Sequence, residues 1–223
     1  MTGTSAIVNR MLRKHVTPIL REAGFDKVDA RNGWMWRNRV VCVFNIRAVG
    51  NYFSDVTGWP PGSVGVWLGA FYTFVPEKTS IKLDAQNRLL PAEYQCHMRR
   101  HLDCGINPTQ RLQALSNPAE QKRKDIWWVE PDGSNADAVA SDIAHSLAEQ
   151  GLPWFSRVMD LYSALSDIEG ERDCYNKFVR AAFLSRELRD KLRWEKYASL
   201  AETEAKRIGQ TFDRGTEDAG IHT

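Results

Sequence analysis

Between residues 5 and 23 the apolar positions Ile7, Val8, Met11, Leu12, Val16, Ile19, Leu20 and Ala23 recur every three or four residues, which predicts an amphipathic helix. Pro18 falls late in it, where it can bend or shorten the helix, and Gly24 is a stop signal. After Phe25 the pattern changes to short runs of β-branched and aromatic residues. Asn32-Gly33 predicts a hairpin turn between residues 27–31 and 34–37, and a second turn at Asn38-Arg39 leads into a strand over 40–49. Residues 51–63, with Trp59-Pro60-Pro61-Gly62, read as a loop. Over 64–75 the residues alternate. Val64, Val66, Leu68, Ala70, Tyr72 and Phe74 take one face, and Gly65, Trp67, Gly69, Phe71 and Thr73 the other. The two glycines imply close packing or a bulge on that second face.

Residues 76–91 are polar and turn-rich, and 107–125 read as a loop with some helix, broken at Asn107-Pro108 and Asn117-Pro118. A short strand follows at 126–130 with Trp127 and Trp128. Ser134 and Asp137 form a capping-box-like start for a helix through Val139, Ile143 and Leu147, which Gly151 is expected to stop. Pro153 suits the first turn of a second helix carrying Trp154, Phe155, Val158, Leu161, Tyr162 and Leu165, ended at Gly170. Residues 175–207 read as one long helical region with the stripe Phe178, Val179, Ala182, Phe183, Leu188 and Leu192. Hairpins without a βαβ alternation predict an α+β fold. Its antiparallel sheet is covered by the N-terminal helix and the helices at 135–165, with extra C-terminal helices. The expected organisation is one domain over 1–166, a helical extension over 167–208 and a disordered tail over 209–223.

Composition excludes disordered, collagen-like and disulfide-scaffold classes: of 223 residues 43% are hydrophobic and 26% charged. The longest apolar run, 40–44, is far below the ~20 residues of a membrane span. Basic residues among the apolar ones of the first twenty leave no signal-like apolar stretch, so a cytosolic setting is expected, with Cys42, Cys96, Cys104 and Cys174 as free thiols. The net charge of +2 hides an asymmetry. Residues 1–50 hold nine Lys/Arg against three Asp/Glu, and residues 126–175 two against ten. The plain account is mutual neutralisation of the two segments; the sharper one is a basic face for an anionic partner.

Several short motifs, taken in order, resemble a known family. They are Leu20-Arg21-Glu22-Ala23-Gly24-Phe25, Trp34-Met35-Trp36-Arg37, Val43-Phe44-Asn45-Ile46, Cys96-His97-Met98-Arg99-Arg100, Trp127-Trp128 and Gly151-Leu152-Pro153-Trp154-Phe155. In this order they are similar to the bacterial domain-of-unknown-function family numbered 4304, over about residues 11–165. The resemblance implies a small cytosolic α+β domain and supplies no activity, cofactor or catalytic residue. The Trp59-Pro60-Pro61 insertion and the helices after 166 depart from the pattern.

Residues 96–104 are the most suggestive cluster. As a helix they would bring His97, His101 and Cys104 to one face, a spacing suited to zinc. As a strand they would send Tyr94, Cys96, Met98, Arg100 and Leu102 to one side and His97, Arg99 and His101 to the other. The apolar first side and the resemblance favour the strand, and no C-x₂-C spacing supports zinc. The expected binding residues are Arg37, Arg39, Arg47, His97, Arg99 and His101, on strands that also carry Trp34, Trp36, Phe44 and Trp67. Such a face can stack bases and neutralise phosphates, although strand aromatics ordinarily form core. No G-x-S-x-G, H-E-x-x-H, Walker loop or G-x-G-x-x-G occurs, so no catalytic residue is assigned.

The sequence therefore favours a non-enzymatic, cytosolic interaction domain that binds a protein partner, with no cofactor and no membrane contact. A role in conflict or defence is a fold-level analogy. One alternative is single-stranded nucleic-acid binding through the basic, aromatic sheet face. Another is a zinc-dependent hydrolase using His97, His101 and Cys104. The C-terminal helices offer a homodimer contact.

Overall fold

The computed structural model of the chain describes residues 3–76 and 79–214. The described residues within 1–73 and 78–159 form one compact unit, and those within 74–77 and 160–223 a second. The first unit opens with helix α1, Thr4–Glu22, whose buried stripe Val8, Leu12, Val16 and Leu20 repeats every four residues. Strands β1 (Lys27–Val28), β2 (Asn32–Arg37), β3 (Val40–Ala48) and β4 (Val64–Tyr72) follow, with the short helix α2 (Asn51–Thr57) between β3 and β4. A two-stranded hairpin, β5 (Lys82–Leu83) with β6 (Leu89–Leu90), precedes a 3-10 turn at Glu93–Gln95 and strand β7 (Met98–His101). Two short helices, α3 (Thr109–Gln113) and α4 (Pro118–Gln121), and strand β8 (Ile126–Trp127) lead to helix α5 (Ala136–Ser146) and helix α6 (Leu152–Met159). The six-stranded antiparallel sheet runs in the order β1-β2-β3-β4-β7, with β8 paired to β4 beyond the end of β7. This is the α+β architecture the pattern predicts.

One sheet face, carrying Cys42, Phe44, Ile46, Val64, Val66, Leu68, Ala70 and Tyr72, is buried. The helices lie on it. Gly33 on this face leaves room for Leu20 and Phe25, and the Tyr72 hydroxyl donates to Val158 O at 2.9 Å. That bond satisfies a carbonyl in the last turn of α6, which has no partner within its own helix. Helix α1 also packs against α5, where Lys14 and His15 meet Asp137 at 2.8 and 2.9 Å.

Several local expectations are corrected. Asn32-Gly33 is not the hairpin turn but the start of β2. The chain turns at residues 29–31, where Asp29 Oδ1 accepts from the amides of Arg31 and Asn32; the glycine at 33 is there for space, since a Cβ would stand 3.0 Å from the Phe25 ring. Residues 51–57 are helical rather than loop. The N-cap position of α5 falls at Asn135 rather than Ser134, and no side chain caps it there: the Asn135 Oδ1 accepts from Glu130 N instead. Gly151 does not stop the helix. A π-helical turn, Leu147–Gly151, carries α5 into α6. In that turn Gly151 faces Leu68 and Leu102 at ordinary contact distance, each 3.5 Å from where a Cβ would stand, and the atom a Cβ would crowd is the Leu147 methyl at 2.8 Å. The second helix breaks at Asp160, which caps α7 (Leu161–Glu169) by accepting from Tyr162 N.

In the second unit the expected helical region over 175–207 consists of two helices, α8 (Tyr175–Glu187) and α9 (Lys191–Arg207). Arg189 adopts a left-handed φ of 58° between them, and the Asp190 carboxylate accepts from Arg193 N at 3.0 Å to start α9. The two helices pack through Ala181, Ala182, Phe183, Ala198, Ala201 and Ala205, all buried. Leu192, expected in the apolar stripe, is 86% exposed. Of the tail expected over 209–223, residues 215–223 lie outside the described residues. The preceding ones are held: Phe212 meets Phe183 edge-on at 6.0 Å, and Arg214 bridges Glu195 and Glu202. Among the described residues no helix is long and apolar enough to cross a membrane.

Candidate functional site

Strand alternation sends a second set of residues to the sheet face away from the helices. The register aligns them in rows: Asn32, Asn45, Trp67 and His101; then Trp34, Val43, Gly69 and Arg99; then Trp36, Val41 and Phe71. Residues 79–97 cross part of this face. Trp36 Nε1 donates to Leu89 O at 2.8 Å and Trp34 Nε1 to Pro91 O at 3.0 Å. Over Gly69 the chain comes so close that a Cβ there would stand 2.5 Å from Cys96 Sγ and 2.8 Å from Cys96 Cβ. The close packing implied by this glycine is thus the seat of the 3-10 turn and its exit.

That turn brings in Glu93, whose side chain is fully buried. Its two oxygens are shared between two strands: Oε2 accepts from Arg47 Nη2 at 2.7 Å and Oε1 from Arg99 Nε at 2.5 Å. Arg47 Nε also donates to Asn45 Oδ1 at 3.0 Å, Asn45 Nδ2 donates to Asn32 Oδ1 at 2.7 Å, and Asn32 Nδ2 donates to Asp29 at 3.1 and 3.2 Å. An unbroken polar chain therefore crosses the sheet from Asp29 to Arg99, with each group holding the next in orientation. Both guanidinium carbons lie by the Trp67 ring, at 5.2 Å for Arg47 and 5.7 Å for Arg99. The His101 ring lies against that ring, tilted by 51° with the centroids 3.7 Å apart. The Glu93 hydrogen bond raises the Arg99 pKa further, against the effect of burial. Between this network and the β5–β6 hairpin opens a cleft of about 630 Å³, lined among others by Trp34, Asn45, Arg47, Lys82, Tyr94 and Gln95.

The structure gathers Arg47, Arg99 and His101 around Trp67 and places the other expected binding residues elsewhere. Arg37 closes the end of α1, donating to Gly24 O at 2.7 Å and lying 3.4 Å from Asp26. Arg39 is in the exposed β2–β3 turn, its carbonyl accepting from Thr73 N. His97 Nδ1 accepts from Tyr72 N at 3.0 Å, extending the β4–β7 pairing through a side chain, and its ring lies 4.7 Å from Phe71. The helical ligand spacing for zinc does not form, because Met98–His101 is a strand. Cys104 sits beyond it, and burial, with the Asp142 and Asp103 charges adding, pushes its thiol up to about 11. Among the described residues no group of three or more His, Cys, Asp or Glu could hold a metal ion. Arg47 and Arg99 use Glu93, while Lys14 and His15 join the basic 1–50 and acidic 126–175 segments at Asp137.

Sequence reasoning passed over Glu93, Asn32, Asn45 and Lys82. The signal for the first was present: Glu93 is the one acidic residue between 85 and 102, a stretch that holds Arg88, Arg99 and Arg100.

The family described as Domain of unknown function (DUF4304) matches residues 16–157, and the chain belongs to that family. The match spans the sheet, the polar chain and the cleft. No curated protein and no solved structure matches the chain.

Proposed function

We propose that the chain is an interaction domain whose outer sheet face docks an extended segment of a protein partner. The observation that carries this reading is the cleft beside the polar chain. Its side-chain amides and Arg47 are held in fixed orientation before any ligand arrives, which lowers the ordering cost of binding. Amides, a tyrosine and apolar patches from Val43 and Leu90 match the mixed chemistry of a polypeptide. The covered aromatic rings speak against single-stranded nucleic acid. Trp67 is flanked by Arg47, Arg99 and His101, and Trp36 lies under Arg88 at 3.8 Å, so neither offers an open stacking platform of the kind such binding uses. A reducing, cytosolic setting suits cysteines that form no disulfide among the described residues.

The test is an array of extended peptides of varied composition, probed with the full chain and with Tyr94→Ala and Gln95→Ala variants, beside labelled oligothymidine. Peptide binding that weakens in the cleft variants is expected. Oligothymidine binding that falls steeply with salt and is lost in Trp67→Ala overturns the reading.

A further inference from the structure

Resting on that reading, we infer that the docked segment is acidic, and that one of its side-chain carboxylates sits against Arg47 and Arg99 beside Trp67. The charge count points there. Two guanidinium groups share one buried carboxylate, so the trio retains a net positive charge at its surface, where the arginine side chains are 44% and 41% exposed. Lys82, exposed on β5 and lining the same cleft, adds a second cation.

Donor geometry says what the surplus charge is for. Arg47 has five N–H groups and commits Nε and one Nη2 hydrogen; Arg99 commits Nε. Arg47 Nη1 and both terminal nitrogens of Arg99 meet no acceptor among the described residues, so each fork still presents N–H groups to a ligand. Glu93 fixes the spacing of the two forks, because each of its oxygens holds one of them. A planar carboxylate matches such forks, and charge-assisted bonds of this kind are about twice as strong as neutral ones. Phosphate shares the charge, but the ring that stands between the two arginines, Trp67, is already flanked by Arg47, Arg99 and His101 and offers a base no open face there. A polypeptide instead finds the amides of Asn45 and Gln95 and the Tyr94 ring beside the arginines.

The experiment uses the full chain and end-blocked fluorescein octapeptides, so that every carboxylate is a side chain's: (Glu-Ser)₄, (Gln-Ser)₄ and (Lys-Ser)₄, read by anisotropy at two salt concentrations. The acidic peptide is expected to bind with half-saturation below about 1 mM and about tenfold more tightly than the glutamine peptide. Arg99→Gln is expected to weaken it about three- to tenfold and to leave the glutamine peptide unchanged. Arg10→Gln, exposed on α1, is expected to change neither. Arg47→Lys is the second variant: it keeps the charge and loses the fork, and circular dichroism verifies that each variant is folded. Equal binding of the acidic and glutamine peptides overturns the carboxylate inference and leaves the docking reading standing. Binding of no peptide overturns both. Displacement of the acidic peptide by oligothymidine of equal charge assigns the site to a phosphate polymer and also overturns the inference.

Discussion

Replacing Glu93 by glutamine tests whether the buried carboxylate anchors the outer face. The side chain is fully buried and accepts from Arg47 and Arg99 at 2.7 and 2.5 Å. Glutamine keeps the shape but can offer its single oxygen to only one arginine; its NH₂ faces the other, donor against donor. A hydrogen bond to a charged group contributes about 1.5–3 kcal/mol. Both arginines are more than 40% exposed and can turn towards water, which reduces the loss. The expected destabilisation is about 2 kcal/mol, or about 4–8 °C in Tm for a unit of this size. Urea unfolding followed by tryptophan fluorescence measures it, provided the transition is read at the sheet, where Trp34, Trp36 and Trp67 lie. Arg99→Gln on its own leaves Glu93 bonded to Arg47 alone, and in the double variant the two losses overlap. A cycle of the two substitutions should therefore show a coupling of about 1 kcal/mol. A Glu93→Gln change of less than about 0.5 kcal/mol, or strict additivity with Arg99→Gln, would refute the anchoring role.

Gly69→Ala should cost about 1–3 kcal/mol, because its Cβ would strike Cys96 beneath a fixed turn; Gly151→Ala should cost less in the same unfolding assay, since its nearest clash, at 2.8 Å, is with a terminal methyl of Leu147 and alanine favours the helix. Iodoacetamide at neutral pH should label the exposed Cys174 first and spare Cys42 and Cys104, whose thiols burial pushes up to about 12 and about 11; mass spectrometry of timed samples checks the order, and early labelling of Cys104 counts against it. Hydrogen bonds from Lys14 and His15 lower the Asp137 carboxyl to about 2. Its contribution to the α1–α5 contact is therefore complete above the usual aspartate value of about 4 and is lost as the pH falls towards 2. An Asp137→Asn variant should flatten that part of an acid-unfolding curve, and an unchanged curve would show that the pair contributes nothing there.

The parts of the fold legible in the sequence are those where one periodicity runs uninterrupted. The four-residue stripe of α1 states which side of the helix is buried, and the two-residue alternation of β4 sorts its residues onto two faces, one under the helices and the other covered everywhere but at Trp67. The misreadings have a common physical origin in residues with two uses. Asn-Gly suits a hairpin turn, but Gly33 is selected by the lack of a side chain opposite Leu20 and Phe25, and Asp29 makes the turn instead. Glycine also ends helices, yet Gly151 keeps a helical backbone inside the π-helical turn, where it sits against Leu147, Leu68 and Leu102. Nothing local distinguishes these uses, since the deciding neighbour is far away in sequence. The break between α8 and α9 was less hidden: Asp190 just before Lys191 is an ordinary N-cap residue, masked by the apolar Leu188 and Leu192 on either side.

The site was half legible for the same reason. Strand parity set His97, Arg99 and His101 on one side of their strand and Trp67 on one side of its own, and the pairing of β4 with β7 is what brings Arg99, His101 and Trp67 onto one face. Parity cannot tell whether such arginines are free. Had they been free, the outer face would be a cationic, aromatic platform, and nucleic acid would be its natural ligand. Glu93 changes that conclusion. A 3-10 turn carries it in from outside the sheet, Gly69 makes room for the chain behind it, and its carboxylate spends one oxygen on each arginine. What is left is a smaller and more directional positive site: two forks at fixed spacing, the Trp67 ring already flanked, and an amide-lined cleft alongside. A dispersed positive field attracts any polyanion, whereas oriented forks hold an anion in a set orientation, and on the reading proposed above that anion is a side-chain carboxylate of the docked polypeptide.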